Sequence, residues 1–405
     1  MHRDKDSLYR LKEDILGSLD LSKNMSDEEI RELIDGRILM QKKQIPLSPA
    51  ERIQIRKEIF YAIRRFGILQ ELLQDSQITE IMVNGTQPIF VEKGGKICQL
   101  SLRFESQEKL KQVIQQMVSE ANRVVNAASP IVDVRLKDGS RVNVVLSPIA
   151  INGPILTIRR FPGKAITMEQ LIAMQSVSEE IAGFLKEKVK NGCNIIVSGG
   201  TGCGKTTFLN VLSGFISQEE RVITIEDSAE LKLENQPNLV RMETRNANVE
   251  GCKEITIRDL LKTSLRMRPD RIIVGEVRGK EAIDMLQSVN VGHSAMTTVH
   301  ANSVRDVISR LETMVLMGMD LPVSAIRRQI VSGFDLMIHL GRLRDGSRRL
   351  LEIAMPHMQE NGEVVVKTLY RFQETGEQRD GKVLGKWVEG DEIFSNQKSD
   401  SNSIT

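Results

Sequence analysis

One stretch decides the fold: residues 194–207 read NIIVSGGTGCGKTT. The apolar run NIIVS predicts a buried strand, and KTTFLNVLSGFI, which begins at Lys205, predicts a helix. Between them, Gly199 to Thr206 fit the pattern GxxxxGK[ST], in which glycines let backbone N–H groups curl around a phosphate at a helix N-terminus. The sequence therefore predicts a phosphate-binding loop (P-loop); the alternative is a glycine-rich turn without a ligand.

The residue types of this loop suit ATP and Mg²⁺. Lys205 is predicted to reach the β- and γ-phosphates, and the hydroxyl of Thr206 to ligate Mg²⁺. Cys203 is interpreted as a small spacer that contributes its backbone N–H. The predicted nucleotide-binding residues are Gly200, Thr201, Gly202, Cys203, Gly204, Lys205, Thr206 and Thr207.

Downstream of the loop, short apolar runs alternate with longer helical patterns. The strand candidates after Asn194–Ser198 are Val222–Glu226, Ile272–Val277, Ala295–Val299 and Leu336–Leu340. This alternation predicts an α/β domain over residues 171–355, with a mainly parallel sheet covered by helices on both faces.

Two of these strands end in carboxylates, which a P-loop needs to hold Mg²⁺ or to polarise water. RVITIED ends in Glu226 and Asp227, and RIIVGEV carries Glu276. Ordinary exposed strand ends are the alternative for both. His300 follows the strand candidate Ala295–Val299 and is a candidate γ-phosphate sensor, whereas His293 stays open between a functional and a structural role.

The region before the P-loop domain has a different pattern. Residues 76–162 predict a smaller α+β domain, with strands at Ile78–Val83 and Pro88–Val91 and a helix over Ser106–Val125. Arginines cluster near its last strands, as phosphate-contacting residues or as solvated surface charges. They are Arg135, Arg141, Arg159 and Arg160.

The remaining segments complete the predicted organisation. Residues 1–75 predict an N-terminal helical bundle, with capping boxes that begin at Ser26 and Ser48. Residues 163–170 are a predicted linker, residues 356–394 a C-terminal extension, and residues 395–405 a disordered tail.

Composition excludes some classes of protein. Among 405 residues, 56 Lys and Arg oppose 54 Asp and Glu, and the net charge of +2 gives no strong nucleic-acid signal. The four cysteines have no metal-like spacing and are interpreted as free thiols in a reducing cytoplasm. No apolar run reaches the length of a transmembrane segment of about 18 residues.

Several motifs together resemble the ATPases of type II and type IV secretion and pilus assembly, most closely the CpaF/TadA branch for tight-adherence pili. They are GGTGCGKTT, ITIEDSAEL (Asp box), LRMRPDRIIVGEVRG (Walker B), GHSAMTTVHAN (His box) and VDVRLKDGSRVNVV (arginine segment). The resemblance covers about residues 60–355 and implies a RecA-like P-loop ATPase domain preceded by the smaller α+β domain.

The resemblance also implies roles and partners. Glu226 positions water, Glu276 acts at the Mg²⁺–water network, and His300 senses the γ-phosphate. The arginines at 135, 141 and 159 or 160 reach the nucleotide from the N-terminal domain. The family forms homohexameric rings that bend about the interdomain linker and work with an inner-membrane platform protein. The expected location is cytoplasmic, peripheral at the inner face of the plasma membrane.

Two other functions stay open on the sequence. A DNA-handling motor, such as a helicase or conjugation ATPase, could use the four arginines of GRLRDGSRR (341–349), which otherwise form a charged hairpin around Asp345-Gly346. A nucleotide-binding regulator with little turnover is the third hypothesis. A GTPase is disfavoured because no NKxD segment occurs.

Overall fold

The protein is described by a computed structural model over residues 17, 26–40, 48–64, 66–160, 166–245, 253–377 and 381–390. The chain divides into two compact units, Met1–Gly163 and Lys164–Thr405. The predicted tail and residues 163–165 of the predicted linker lie outside the described residues. The end of that linker is helical, since a helix starts at Met168.

The first unit begins with two helices, α1 (Asp27–Met40) and α2 (Pro49–Arg64). Both predicted capping boxes are present: Glu29 N donates to Ser26 Oγ at 3.3 Å and Ser26 N donates to Glu29 Oε2 at 2.6 Å. The same reciprocal pair joins Ser48 and Glu51, at 2.7 and 3.2 Å. The helices share a small core built mainly from isoleucines at helical spacing: Ile30, Ile34, Ile38, Ile55, Ile59 and Phe60.

The rest of the first unit is an antiparallel sheet in the order β3-β2-β1-β6-β5-β4, with two helices. Its elements are α3 (Leu69–Gln74), β1 (Ile78–Asn84), β2 (Phe90–Lys93), β3 (Lys96–Gln99), α4 (Gln107–Glu120), β4 (Ile131–Arg135), β5 (Arg141–Val145) and β6 (Ile155–Arg159). Leu69 of α3 and Ile114 of α4 belong to the same core as Ile81 and Val142 of the sheet. Strand β4 was not predicted from the sequence.

The second unit is a nine-stranded sheet with helices. Its elements are α5 (Met168–Ala173), α6 (Glu179–Lys190), β7 (Ile195–Gly199), α7 (Lys205–Ser213), β8 (Val222–Glu226), β9 (Leu239–Glu243), α8 (Ile257–Ser264), β10 (Arg271–Val277), α9 (Ala282–Asn290), β11 (Ser294–Val299), α10 (Val304–Gly318), α11 (Val323–Gly333), β12 (Leu336–Arg342), β13 (Arg348–Met358), β14 (Val364–Glu377) and β15 (Val383–Glu389). Two large apolar clusters form its core, one with side chains of α5 to α7 and the other with side chains of α8 to α11.

The strand order is β15-β14-β13-β12-β7-β11-β10-β8-β9. The strands from β12 to β9 in this order are parallel, and β13, β14 and β15 extend the sheet in antiparallel fashion. The domain end predicted at residue 355 falls within β13, because the C-terminal extension continues the same sheet. The parallel strands β7, β8, β10 and β11 place their carboxyl ends at one edge, where open α/β sheets bind ligands.

Candidate functional site

The loop between β7 and α7 has the backbone that its glycines predict. Gly199, Gly202 and Gly204 have φ angles of 153°, 72° and 95°, a region that side chains with a Cβ disfavour. A Cβ at Gly199 would also collide with the carbonyl oxygen of Leu340 on β12 and with Cys203 Sγ. Position 199 therefore requires glycine on both backbone and packing grounds.

Lys205 is held inside this loop. Its side chain is buried, and Nζ donates to the carbonyl oxygens of Gly199 at 3.1 Å and Gly200 at 3.0 Å. The same nitrogen lies 3.3 and 3.4 Å from the two ring nitrogens of His300. The positive charge of Lys205 is thus held at the first turn of α7, where the helix dipole adds positive potential.

The loop also has room and donors for a phosphate chain. A Cβ added at Gly200 or Gly202 would meet no atom within 4 Å, so the backbone is open on that side. Thr206 lies half-buried in the first turn of α7. Among the described residues, no cluster of three or more His, Cys, Asp or Glu side chains forms a metal cage.

Glu226 ends β8 as a buried carboxylate that is 2% exposed. Its Oε2 accepts hydrogen bonds from the backbone N–H groups of Glu230 at 2.7 Å and Leu231 at 3.0 Å. Its Oε1 is buried without a hydrogen-bond partner among the described residues. Burial raises the pKa of Glu226, and the two backbone donors oppose that rise. One oxygen is therefore anchored, and the other is an acceptor that suits a water molecule or the hydration shell of Mg²⁺.

Glycine precedes Glu276 for a packing reason. A Cβ at Gly275 would lie 3.1 Å from Glu226 Cγ on the neighbouring strand β8. The β10–β11 pairing shifts register between Val274 and Val277, and Thr298 Oγ1 donates to Gly275 O at 2.7 Å. Such irregularities redirect side chains next to functional sites. Here the register shift lies at Gly275 and Glu276.

Glu276 joins the P-loop to the end of β8 through a chain of contacts. His300 Nε2, whose ring also contacts Lys205, lies 3.1 Å from Glu276 Oε1. Arg278 Nη2 donates to Glu276 Oε2 at 2.9 Å, and Arg278 Nη1 lies 3.6 Å from Asp227 Oδ2. Partial burial lowers the pKa of His300 and outweighs the opposite effect of Glu276, so the environment favours the neutral imidazole. The structure thus brings the predicted lysine, carboxylates and histidine to one edge of the sheet.

Two contributors had no assigned role in the sequence interpretation. Arg278 lies two residues after Glu276 in the GEVRG segment, and that spacing was the available signal. The sequence presents Asp227 only as a second acid after Glu226. His293 precedes the amino end of β11, whereas His300 follows the carboxyl end, about 20 Å away along an extended chain. The strand direction therefore separates His293 from the P-loop edge.

The four arginines of the first unit occupy two kinds of place. Arg135, Arg141 and Arg159 are direct cross-strand partners on β4, β5 and β6. Their neighbours Val134, Val142 and Ile158 are buried in the core, so the three arginines lie on the opposite face of the sheet. This set is called the arginine row below.

Arg160 is half-buried and contacts the backbone of its own unit. Its Nη1 donates to the carbonyl oxygens of Asp75 and, at 2.9 Å, of Ile78, and its Nε is buried. These contacts tie the end of β6 to the start of β1. Of the two neighbouring arginines left open by the sequence, Arg159 is the one that the outer face presents.

The fold and site define a class of protein. A strand, a glycine loop with a buried lysine, and carboxylates from neighbouring parallel strands are the parts of a P-loop nucleoside triphosphatase. The family model described as "Type II/IV secretion system protein" matches residues 63–371. The chain therefore belongs to the type II/IV secretion ATPase family, and it is an ATPase.

Curated relatives agree with this membership. A Mycobacterium tuberculosis protein named for conjugal transfer is 35% identical over 75% of this chain and 88% of its own length. The type IV secretion system protein VirB11 of Brucella suis is 30% identical over 69% of this chain and 86% of its own.

Solved structures share the fold. The ATPase DotB of Legionella pneumophila matches with a TM-score of 0.50 and 20% identity, over 70% of this chain and 78% of that one. The pilus retraction motor PilT, solved with ADP, matches with a TM-score of 0.53 and 20% identity, over 73% and 84%.

Proposed function

We propose that this protein is a hexameric motor that converts ATP hydrolysis into movement of its two units, and that this movement drives pilus assembly or protein secretion through an inner-membrane platform protein. One observation carries the proposal: Lys205, His300, Glu276 and Arg278 form an unbroken chain of contacts that starts in the P-loop. A protein that only binds a nucleotide does not need the carboxylates of Glu226 and Glu276 beside that loop.

Each residue has a proposed task. The backbone of residues 200–207 and Lys205 bind the phosphates. Thr206 and Glu276 would hold Mg²⁺, which would neutralise phosphate charge. Glu226 accepts a hydrogen bond from the attacking water through its unpartnered Oε1. His300 contacts Lys205 and Glu276 and so can respond to the terminal phosphate.

The arginine row is proposed to act on the ATP site of a neighbouring subunit. Three guanidinium groups on one sheet face supply the positive charge that phosphoryl transfer requires. Such an arrangement makes turnover depend on assembly, which supports the hexamer. Among the described residues no helix is both long and apolar enough to cross a bilayer. We propose a cytoplasmic protein that acts peripherally at the inner face of the plasma membrane.

A conjugation motor is the second candidate, because relatives with 28–35% identity carry conjugal transfer names. The tight-adherence branch expected from the sequence stays a prediction beside it. The hairpin arginines give little support to direct DNA binding, since Arg349 is buried and Arg344 pairs with Glu374.

The test uses purified full-length protein. We expect ATP hydrolysis that needs Mg²⁺ and a hexamer in native mass measurement. Lys205→Ala is expected to reduce turnover by more than about 100-fold. The surface variant Lys190→Ala is the matched control. DNA-stimulated, salt-sensitive hydrolysis would favour the conjugation motor instead. Absence of turnover in the wild-type hexamer would remove the motor proposal.

A further inference from the structure

The hairpin between β12 and β13 carries four arginines, and the fold uses two of them for its own structure. Arg349 is buried and donates to the carbonyl oxygens of Gln175 and Val383. Arg344 forms an ion pair with Glu374 on β14. Arg342 and Arg348 are cross-strand partners at the start of the hairpin. Arg348 differs from the others because it contacts the P-loop.

The position of Arg348 follows from strand pairing. Strand β12 runs parallel to β7, and their register ends with Leu340 beside Gly199, so the hairpin emerges next to the P-loop. Arg348 Nε donates to the carbonyl oxygen of Gly202 at 2.8 Å. Its Cδ lies 3.5 Å from the place where a Cβ on Gly204 would be. The guanidinium therefore lies across the loop, just before Lys205.

This contact leaves most of the guanidinium available. Arginine has five N–H donors, and the Nε donor alone is taken by Gly202. The side chain of Arg348 is exposed, and within the described ranges no carboxylate forms an ion pair with it. Guanidinium groups bind phosphate oxygens through paired donors, which gives both strength and orientation.

The sheet order tells which part of a nucleotide Arg348 would meet. Strand β7 lies between β11 and β12. The candidate catalytic groups His300 and Glu276 come from the β11–β10 side, whereas Arg348 comes from the β12–β13 side. Arg348 therefore approaches the loop from the side opposite to the groups that act on the terminal phosphate.

We propose that Arg348 binds the α-phosphate of ATP and ADP within its own subunit. The inference rests on the proposed ATP site and adds a ground-state binding residue to it. Because the α-phosphate is common to substrate and product, Arg348 contributes equally to the affinity for both nucleotides. It thus differs from a γ-phosphate sensor, which distinguishes ATP from ADP.

The experiment compares Arg348→Gln with Arg344→Gln in the full-length protein. Glutamine keeps an N–H donor for the Gly202 carbonyl but removes the charge, so the loop retains its support. Kd values for ADP, for ATP without divalent cations and for inorganic pyrophosphate are measured by displacement of a fluorescent ADP analogue. Melting temperature without nucleotide checks the fold.

Arg348→Gln is expected to raise the Kd for ADP and ATP by the same factor of about 10, the loss of one charge-assisted interaction. It raises the Kd for pyrophosphate as well, and Arg348→Lys recovers part of the affinity. Arg344→Gln binds all three like the wild type. These results together support the proposal.

Other results overturn it. Unchanged Kd values in Arg348→Gln, while Lys205→Ala loses binding, would remove Arg348 and leave the ATP site intact. A weakened ADP affinity with normal pyrophosphate affinity would assign Arg348 to the nucleoside instead. A larger effect on ATP than on ADP would make it a γ-phosphate sensor. Wild-type protein that binds no ADP would instead refute the proposed function itself.

Discussion

Four candidate side chains beside the P-loop contact one another in sequence, whereas the arginines of the arginine row in the first unit are placed side by side by the pairing of their strands. Lys205, His300, Glu276 and Arg278 are linked by distances of 2.9–3.4 Å. Arg135, Arg141 and Arg159 are instead aligned as direct cross-strand partners on β4, β5 and β6. The comparison teaches that candidate groups of the second unit can be assigned from their contacts, whereas the arginine row is assigned from its shared sheet face. Each prediction below tests one side of this comparison.

The largest effect is expected at Arg159 of the arginine row, which we propose to act on the ATP site of a neighbouring subunit. Arg159→Ala should reduce ATP turnover by about 10³-fold, as the loss of an arginine that stabilises the transferring phosphoryl group does. Its melting temperature should stay that of the wild type, because Arg159 is exposed on the outer face. Steady-state hydrolysis and thermal unfolding measure the two properties.

Arg160→Ala is the matched variant on the neighbouring residue. It removes guanidinium bonds to Asp75 and Ile78, so unfolding should become easier by about 2 kcal/mol, with turnover per folded molecule retained. If Arg160→Ala loses turnover and Arg159→Ala does not, the assignment of the two arginines is reversed.

The next effect concerns the contact chain of the second unit. Glu276→Gln keeps the size of the side chain but removes the charge that faces Arg278 and His300. Turnover should fall about 10²–10³-fold. ATP affinity should change by less than about 3-fold, since the phosphate-binding backbone is untouched. The exposed helix variant Glu187→Gln serves as control, and wild-type turnover in Glu276→Gln would show that another group does this work.

A smaller effect, on binding rather than chemistry, is expected at the loop backbone. Gly199→Ala places a methyl group against Leu340 O and Cys203 Sγ at a φ of 153°. ADP affinity should fall by at least about 10-fold, because strain of 1–3 kcal/mol shifts the loop. Gly183→Ala, in helix α6 with open space around its Cβ, should bind ADP normally and gain about 0.5–1 kcal/mol of stability. Equal affinities in both variants would mean that the loop does not need this glycine.

The smallest effect is a pH dependence of the strand pair that supports the loop. His339 on β12 is buried and contacts Ser198 Oγ of β7 at 3.0 Å, and burial lowers its pKa below 6.5. Below pH 6.5 the unfolded chain binds a proton that the folded chain resists, so the free energy of unfolding decreases as pH falls. The slope for one proton is at most about 1.4 kcal/mol per pH unit.

His339→Gln should flatten that decrease between pH 7 and pH 5 in urea unfolding. The raised pKa of Glu226 acts in the opposite direction and is present in both proteins, so the difference between them isolates His339. Identical slopes would show that His339 is protonated freely in the folded chain.

The sequence predicted the P-loop, the capped helices and five of the six parallel strands because each depends on local pattern, whereas the parallel edge strand β9 was not predicted. The φ angle of Gly199 shapes the loop in which it lies, and the hydroxyls of Ser26 and Ser48 accept hydrogen bonds from residues three positions further on. The C-terminal strands β13 to β15 were missed because they extend the edge of the sheet by antiparallel pairing, and no sequence motif marks them. The roles of Arg278 and Arg348 were missed because Asp227 and Gly202, which they contact, are distant from them in the sequence and are brought near only by the fold.

The sequence likewise could not predict which of the neighbouring arginines Arg159 and Arg160 lies on the outer face of the sheet. Arg159 and Arg160 are adjacent, and alternation says only that they point to opposite faces. Which face is the core depends on where α3 and β1 lie, and these supply the carbonyl oxygens that bind Arg160.

The central claim is that a nucleoside triphosphate binds in the loop at 199–206 with the carboxylates of Glu226 and Glu276 facing its terminal phosphate. A crystal or cryo-EM structure with Mg²⁺ and a non-hydrolysable ATP analogue tests it most directly. The account predicts the phosphate chain against the loop, with Lys205 and both carboxylates beside the γ-phosphate. An analogue bound elsewhere, or both carboxylates turned away from it in every subunit, would contradict the account.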